Sequence, residues 1–391
     1  MRTTDYPKIL FLTRSLEFGG AQRQLVELAT GLHRAGWGVT VATFYPGGAL
    51  ASRLHEEGVT TVHLGKAGRW DVFGFILRLM RLLRRERPDI AHGYLDLSNI
   101  LLSVCRWFVP QTRIVWGVRA SNMDGGRYDA LFRIECRLSV ILSRFADLII
   151  CNSHAGLAHH ASSGFVEERM IVIPNGIDVT RFRPDPQARD EVRKEWNIGT
   201  HQRLIGLVGR LDPMKDQAGF LRAAARVAAA DPHVRFVCVG DGVEDYRKEV
   251  VELSKSLGIA DRVVWSAARS DAWRVHNALD VAVSASSFGE GFSNTIAEAM
   301  ATGVPCVVTN VGDSAALLGR LGWVCRPDDD ESLANAILEA LNALPVDGAV
   351  FRHRILSNYS SAELVKRTAA QLLSLLGRAQ PLPNASVPRA P

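Results

Sequence analysis

The sequence has 391 residues, 47% of them hydrophobic, 22% charged and 7% aromatic. That length accommodates two domains, and that mix excludes a disordered chain, a collagen-like chain and a coiled coil. The formal net charge of +5, with a pI near 9.0, fits an anionic ligand or an anionic surface without singling out nucleic acid, and none is expected as a partner.

Lys8–Thr13, with its apolar run Ile9–Leu12, reads as a first strand instead of a signal peptide. Ala21–Ala35 then places Leu25, Leu28, Ala29 and Leu32 on one helical face, and Gly36 stops it. Gly38–Phe44, Thr60–Leu64, Asp89–Tyr94, Arg113–Gly117 and Asp147–Cys151 are further strands with helical stretches between them. This alternation is the pattern of a parallel sheet covered by helices on both faces.

Within this half, residues 69–87 form a basic amphipathic stretch. Val72, Phe73, Ile76, Met80 and Leu83 line one side; Arg78, Arg81 and Arg85 line another, with Arg84 and Arg87 nearby. Two readings follow: a surface helix with its apolar side on the sheet, and peripheral contact with an anionic membrane.

A turn-rich stretch with three prolines, 173–186, interrupts the pattern. The alternation restarts with strands at Arg203–Gly209, Val234–Gly240, Arg262–Trp265, Asp280–Ser284 and Val304–Thr309. Ser361–Leu376 reads as an amphipathic helix, and Arg378–Pro391 as a disordered tail. The fold class expected is α/β: two doubly wound, Rossmann-like domains facing a cleft, divided at 1–180 and 181–360. No apolar run reaches the length of a spanning helix. The six cysteines form no C-x-x-C pair, which is the usage of a cytoplasmic protein with reduced thiols.

In doubly wound sheets ligands bind beyond the carboxyl ends of the strands, so the loops there are the candidates for chemistry. After the first strand, Gly19 and Gly20 permit close backbone approach at a helix start. After Arg203–Gly209, Asp212 fits a helix cap and Pro213 the first helical position. Arg210 and Lys215 would then flank a helix N-terminus, a good clamp for a diphosphate without a metal.

After Asp280–Ser284, Gly289 and Gly291 hold Glu290 on a tight loop, and Ser293 and Asn294 open a helix running to Met300. The backbone N–H groups of Ser293 and Asn294 suit a phosphate, and the carboxylates of Glu290 and Glu298 suit sugar or ribose hydroxyls. Thr295-x-x-Glu298 also fits a capping box. Gly240 and Gly242, around Asp241, leave room for a flat ring against backbone. His92 and Arg119 end strands of the first half, where they could meet a sugar or an acceptor. Asp328–Asp330 reads as a helix start, not a metal site, and no zinc, calcium or P-loop spacing is present.

Together these loops resemble glycosyltransferase family 4, the retaining group of GT-B fold. The likeness rests on Gly209-Arg-Leu-x-x-x-Lys215 and on Glu290-x7-Glu298 followed by Ala-Met-Ala-x-Gly303. Asn152-Ser153 and Pro174-Asn-Gly-Ile-Asp178 also match the family's approach to its linker. The resemblance implies that the second domain binds a nucleoside-diphosphate sugar, UDP- or GDP-linked, with no cofactor and no metal. Arg210 and Lys215 would hold the diphosphate, Glu290 and the backbone of Gly291–Asn294 the sugar and phosphate, and Glu298 the ribose.

It also implies that Gly19 and Gly20 approach the diphosphate, and that a helix at 361–377 crosses back to the first domain. Many members carry a His where this chain has Arg119, so Arg119 stands for a different sugar contact. The activity expected is retaining transfer of a sugar to a saccharide or lipid-linked acceptor in surface polysaccharide, lipooligosaccharide or glycolipid synthesis. The expected location is the cytoplasm, at the inner face of the membrane. A sugar-nucleotide epimerase and a non-catalytic nucleotide-sugar sensor are the alternatives.

Overall fold

The computed structural model describes residues 6–17, 19–68, 70–119 and 130–378. Residues 1–5, Phe18, Arg69, residues 120–129 and those from 379 lie outside the described residues, and so does the side chain of Arg133. Thirteen strands appear among them. β1 (Lys8–Thr13), β2 (Gly38–Thr43), β3 (Thr60–His63), β4 (Ile90–Tyr94), β5 (Arg113–Val118), β6 (Leu148–Cys151) and β7 (Met170–Val172) form one sheet. β8 (Arg203–Val208), β9 (Val234–Val239), β10 (Val263–Ser266), β11 (Val281–Ser284), β12 (Cys306–Thr309) and β13 (Trp323–Cys325) form the other.

The sheet orders are β3-β2-β1-β4-β5-β6-β7 and β10-β9-β8-β11-β12-β13. β8 pairs in parallel with β9 and β11, as β1 does with β2 and β4. Chain order therefore reverses between β1 and β4 in one sheet and between β8 and β11 in the other. Both are switch points of doubly wound folds, where strand-end loops part and leave room for a ligand.

The burial pattern explains why these runs are strands. In β9, Phe236 and Cys238 enter the core on one face, while Val237 and Val239 enter the core on the other. A strand buried on both faces needs a continuous apolar run. Truncating Phe236 would cost about 3–5 kcal/mol, the usual range for emptying a buried aromatic site.

The chain forms two compact units. One holds residues up to Gly117, Ile141–Ile149 and the chain from Leu364; the other holds Val118–Val140 and Ile150–Glu363. This differs from a single cut at residue 180. The reason is local bonding: Ile177 bridges Ser360, and Asn175 bonds Asn294, so the stretch before the expected cut is tied to the residues after it. From Leu364 the last helix, Ser361–Leu375, belongs to the first unit, where Val365 lies over Gly31 of the helix Gly20–Arg34.

The helix at Phe73–Glu86 also departs from its expected phase. Phe75, Leu79, Leu82 and Leu83 are buried, whereas Val72 and Phe73 are exposed, Phe73 by 76%. Only Leu83 of the five residues assigned to the apolar side is buried, because the buried stripe is centred on Leu79 and Leu82. Five of the six cysteines are buried. Burial pushes the thiols of Cys105, Cys151, Cys238 and Cys325 up to about 12.

Candidate active site

The loops after β8 and β11 carry most of the charged candidates, and the fold makes them neighbours. Beyond β8, Asp212 Oδ1 accepts the Met214 N–H at 3.0 Å and Pro213 opens a single 3-10 turn, Pro213–Lys215. Asp216, with a left-handed φ of 47°, then caps a separate helix, Gln217–Ala230, through the Gly219 N–H at 2.8 Å. Two successive caps thus replace the single helix start that the Asp-Pro pair implies. Lys215 stands in the turn between them, not in the first turn of the long helix. Burial raises the Asp216 carboxyl above its usual range, against the pull of the Gly219 N–H and Arg222.

Arg210 is largely exposed and pairs with Asp212 at 2.9 Å. Its carbonyl accepts from Gln217 Nε2 at 2.8 Å, which fixes the loop while leaving the guanidinium outside. The β9 loop is zipped to this one: the Leu211 N–H donates to Asp241 O at 2.9 Å, and Leu211 bridges Gly242. Gly240 has φ +151°, and a Cβ there would lie 2.0 Å from Gly209 O. Only glycine admits so close an approach. Asp241 itself is exposed.

Beyond β11, Glu290 is buried on its loop. It is 7% exposed, forms an ion pair with Lys215, and accepts from Ser286 Oγ at 2.9 Å. A carboxylate leaving water needs such partners, and the β8 loop supplies the cation. Gly291 is hemmed by Ser153 and Asn152, since a Cβ on it would come within 3.0 Å of Ser153 Oγ. Phe292 turns its ring into the core beside Tyr359, at 5.4 Å between centroids, so only its backbone belongs to the loop.

Ser293 occupies the cap position of the helix Asn294–Ala301 but makes no capping bond. Its Oγ is buried, with no hydrogen-bond partner among the described residues. Because this helix starts at Asn294, its box partner would be Ile296. Glu298 is therefore not a capping-box residue. It is buried inside the helix, with His276 Nε2 3.4 Å from its Oε2.

A hydrogen-bonded bracket holds the same helix start. Arg119 Nη1 donates to Asn175 Oδ1 at 3.0 Å, and Asn175 Nδ2 donates to Asn294 Oδ1 at 2.9 Å. Asp313 accepts the N–H groups of His154 and Ala155 at 2.7 and 2.9 Å, and its own N–H donates to Gly291 O at 2.9 Å. Sequence reasoning missed Asn175, Ser286, His276 and Asp313 as site residues. Two of these carry a sequence signal: Asn175 lies in the Pro174–Asp178 stretch that resembles the family's approach to its linker, and Ser286 opens the loop that holds Glu290.

In the first unit, Gly19 is extended, with φ −171°, and Gly20 opens the helix Gly20–Arg34. A Cβ on Gly19 would meet only the end of the flexible Gln22 side chain, so backbone conformation does not dictate this glycine. His92 requires a correction. It lies within β4, not at its end, and is fully buried between the Phe11 and Tyr94 rings, with centroids 5.3 and 5.0 Å away. Gly117 makes that packing possible, as a Cβ there would sit 3.1 Å from His92 Nε2. His92 is a core ring, not a strand-end group. Elsewhere, Asp329 caps the helix Asp330–Ala343 through the Ser332 N–H at 2.8 Å.

Residues 18–181 match the family model of Glycosyltransferase Family 4, and residues 202–343 that of Glycosyl transferases group 1. Among curated proteins, the UDP-Gal:alpha-D-GlcNAc-diphosphoundecaprenol alpha-1,3-galactosyltransferase of Escherichia coli is 25% identical over 75% of this chain and 76% of its own. A D-inositol 3-phosphate glycosyltransferase of Rhodococcus opacus is 36% identical over 67% of this chain and 62% of its own. Among solved structures, Anabaena HepE in complex with UDP-glucose aligns with a TM-score of 0.83 at 23% identity. That alignment covers 94% of this chain and 100% of HepE.

Proposed function

From the premise that this chain is a glycosyltransferase of the family 4 type with the GT-B fold, we propose that it moves a sugar from a nucleoside-diphosphate sugar to a hydroxyl acceptor. The donor proposed is UDP-linked, with GDP the second choice. The acceptor proposed is a saccharide or a lipid-linked saccharide in surface polysaccharide or glycolipid synthesis, taken by the first unit. The observation that supports this most is the meeting of Lys215, Glu290 and the Asn294–Ala301 helix start beyond β8 and β11. A cation, a carboxylate and free helix N–H groups together suit a charged leaving group joined to a polyhydroxylated ring.

The chemistry follows from charge. As the bond from the anomeric carbon to the diphosphate breaks, negative charge grows on the leaving oxygens. Arg210, Lys215 and the amides at the helix start stabilise that state more than the ground state. Losing one such contact costs about 2.7–4 kcal/mol of barrier, by analogy with an oxyanion donor. Glu290 orients the sugar, and Glu298 binds the ribose hydroxyls. The leaving phosphate takes the acceptor's proton as attack proceeds from the same face, which retains the anomeric configuration. No metal is assigned to this step.

The outer surface of the first unit supports peripheral contact with an anionic membrane. Trp70 is 89% and Trp107 72% exposed, and the Arg84 guanidinium lies 5.8 Å from the Phe108 ring centroid. Exposed aromatic rings interleaved with arginines suit a lipid headgroup layer. No helix among the described residues is long and apolar enough to cross a membrane.

The test is transfer of labelled sugar from a panel of UDP-, GDP-, ADP- and TDP-sugars to an acceptor extract. The expected result is a labelled product with one nucleotide class, lost in Lys215→Ala and Glu290→Ala. A converted nucleotide sugar without acceptor would indicate an epimerase. Donor binding with no product in any extract would indicate a sensor. Full activity in both variants would reject the site.

A further inference from the structure

We infer that Arg119 is a positioning residue, which acts on the bound diphosphate through Asn175 and Asn294 and does not touch it. The inference rests on the reading that the Asn294–Ala301 helix start faces the donor phosphates. Arg119 directly follows β5, where a strand-end cation would ordinarily be taken for a substrate contact. Its guanidinium instead donates to Asn175 Oδ1 at 3.0 Å. Asn175 is 3% exposed, and its Nδ2 donates to Asn294 Oδ1 at 2.9 Å.

The direction of this chain is fixed by its first member. A guanidinium only donates, so Asn175 must present oxygen to Arg119 and nitrogen to Asn294. The first bond is charge-assisted and polarises the Asn175 amide, which strengthens its second bond. With Oδ1 of Asn294 engaged, the group that Asn294 retains for another partner is its N–H₂. That group is a pure donor at the first residue of a helix, beside backbone N–H groups that also only donate. The arrangement suits an anion and disfavours a cation or an acceptor-poor ligand. A reversed Asn294 amide would put its carbonyl oxygen there instead, repelling phosphate. The Arg119–Asn175 pair is what disfavours that flip.

The Asp313 tether holds the neighbouring Gly291 independently, through the N–H groups of His154 and Ala155. Loss of the Arg119 chain should therefore reorient one side chain without releasing the loop.

The experiment is calorimetric titration of the full chain with UDP, GDP and the nucleosides uridine and guanosine. The proteins compared are wild type, Arg119→Ala, Asn175→Ala, the double variant and Asn175→Asp, each checked for an unchanged melting curve. A folding defect in Arg119→Ala shifts the comparison to Arg119→Lys, which keeps a donor for Asn175. The expected result is about tenfold weaker diphosphate binding in each alanine variant, unchanged nucleoside binding, and a double variant no weaker than the worse single one. Asn175→Asp keeps the Arg119 bond but cannot donate to Asn294, so it should lose as much as Asn175→Ala. Losses that multiply in the double variant would mean that Arg119 reaches the ligand itself and would overturn the inference. Parallel weakening of nucleoside and diphosphate would overturn it too. Wild type binding neither diphosphate better than its nucleoside would instead remove the donor reading on which the inference stands.

Discussion

Lys215 and Glu290, 75 residues apart in the chain, form an ion pair across two strand-end loops, and both side chains are mostly buried, at 18% and 8% exposure. The pair sets a trap for simple mutagenesis. Lys215→Ala leaves a buried carboxylate without its cation, and breaking such a pair costs about 3–5 kcal/mol of stability. Lys215→Ala combined with Glu290→Gln should recover much of that stability, because no charge is left stranded, yet remain inactive. Urea unfolding beside a transfer assay separates the two effects. Equal stability of Lys215→Ala and wild type would show that the pair opens freely.

Glu298 lies inside its helix with His276 alongside. If it holds the ribose, Glu298→Gln should weaken UDP binding by about tenfold, the scale of one charge-assisted hydrogen bond. It should also erase the preference of the wild type for UDP over 2′-deoxy-UDP. Preserved discrimination in Glu298→Gln would assign the ribose to another group.

How much of this was legible in the sequence depends on the length over which a signal repeats. β1, β2 and β9 are six-residue strands rich in β-branched and aromatic residues, and that local pattern marks their positions. β7 and β13 have three residues each and were missed, since an edge strand so short carries no period. The Gly-Arg-Leu and Glu-x7-Glu stretches are visible as motifs because spacing within a loop is local, and they lie on the loops beyond β8 and β11. The ion pair they form, the second cap at Asp216 and the Arg119–Asn175 bond across 56 residues depend on tertiary approach. His92 shows the opposite case: its place within β4 depends on a glycine of the next strand, Gly117, which leaves room for the ring and is not visible from the local sequence around His92.

One pH response follows from Asp147. Burial pushes its carboxyl up. The hydrogen bonds from Arg106 and the Ile114 N–H, with the charges of Arg106 and Arg113, outweigh that and hold it below its ordinary value. A depressed folded-state value means that the contribution is full above the unfolded carboxylate value, about pH 4. It is lost as pH falls through the lower folded value. The stability gap between wild type and Asp147→Asn should therefore be constant near neutrality and close below about pH 4. Urea midpoints measured from pH 7 down to acid check this; a gap unchanged in acid would contradict it.

The exposed Trp70, Phe73, Trp107 and Phe108, with Arg81 and Arg84, predict sedimentation with phosphatidylglycerol vesicles and little with phosphatidylcholine vesicles. Arg81→Glu with Arg84→Glu should weaken vesicle binding about tenfold or more, since each cation near an anionic surface contributes about 1 kcal/mol. Trp70→Ser with Phe73→Ser should weaken it at every salt concentration. Equal binding to both lipids would argue against an anionic surface as the partner.

The most direct measurement compares UDP with uridine, and GDP with guanosine, by calorimetry on wild type and Arg210→Ala. Arg210 is largely exposed and its loss should not disturb the fold. The prediction is that one diphosphate binds wild type much more tightly than its nucleoside, and that most of this advantage disappears in Arg210→Ala. Equal affinity for diphosphate and nucleoside in wild type, or an advantage untouched by the substitution, would contradict the claim that this loop grips a diphosphate.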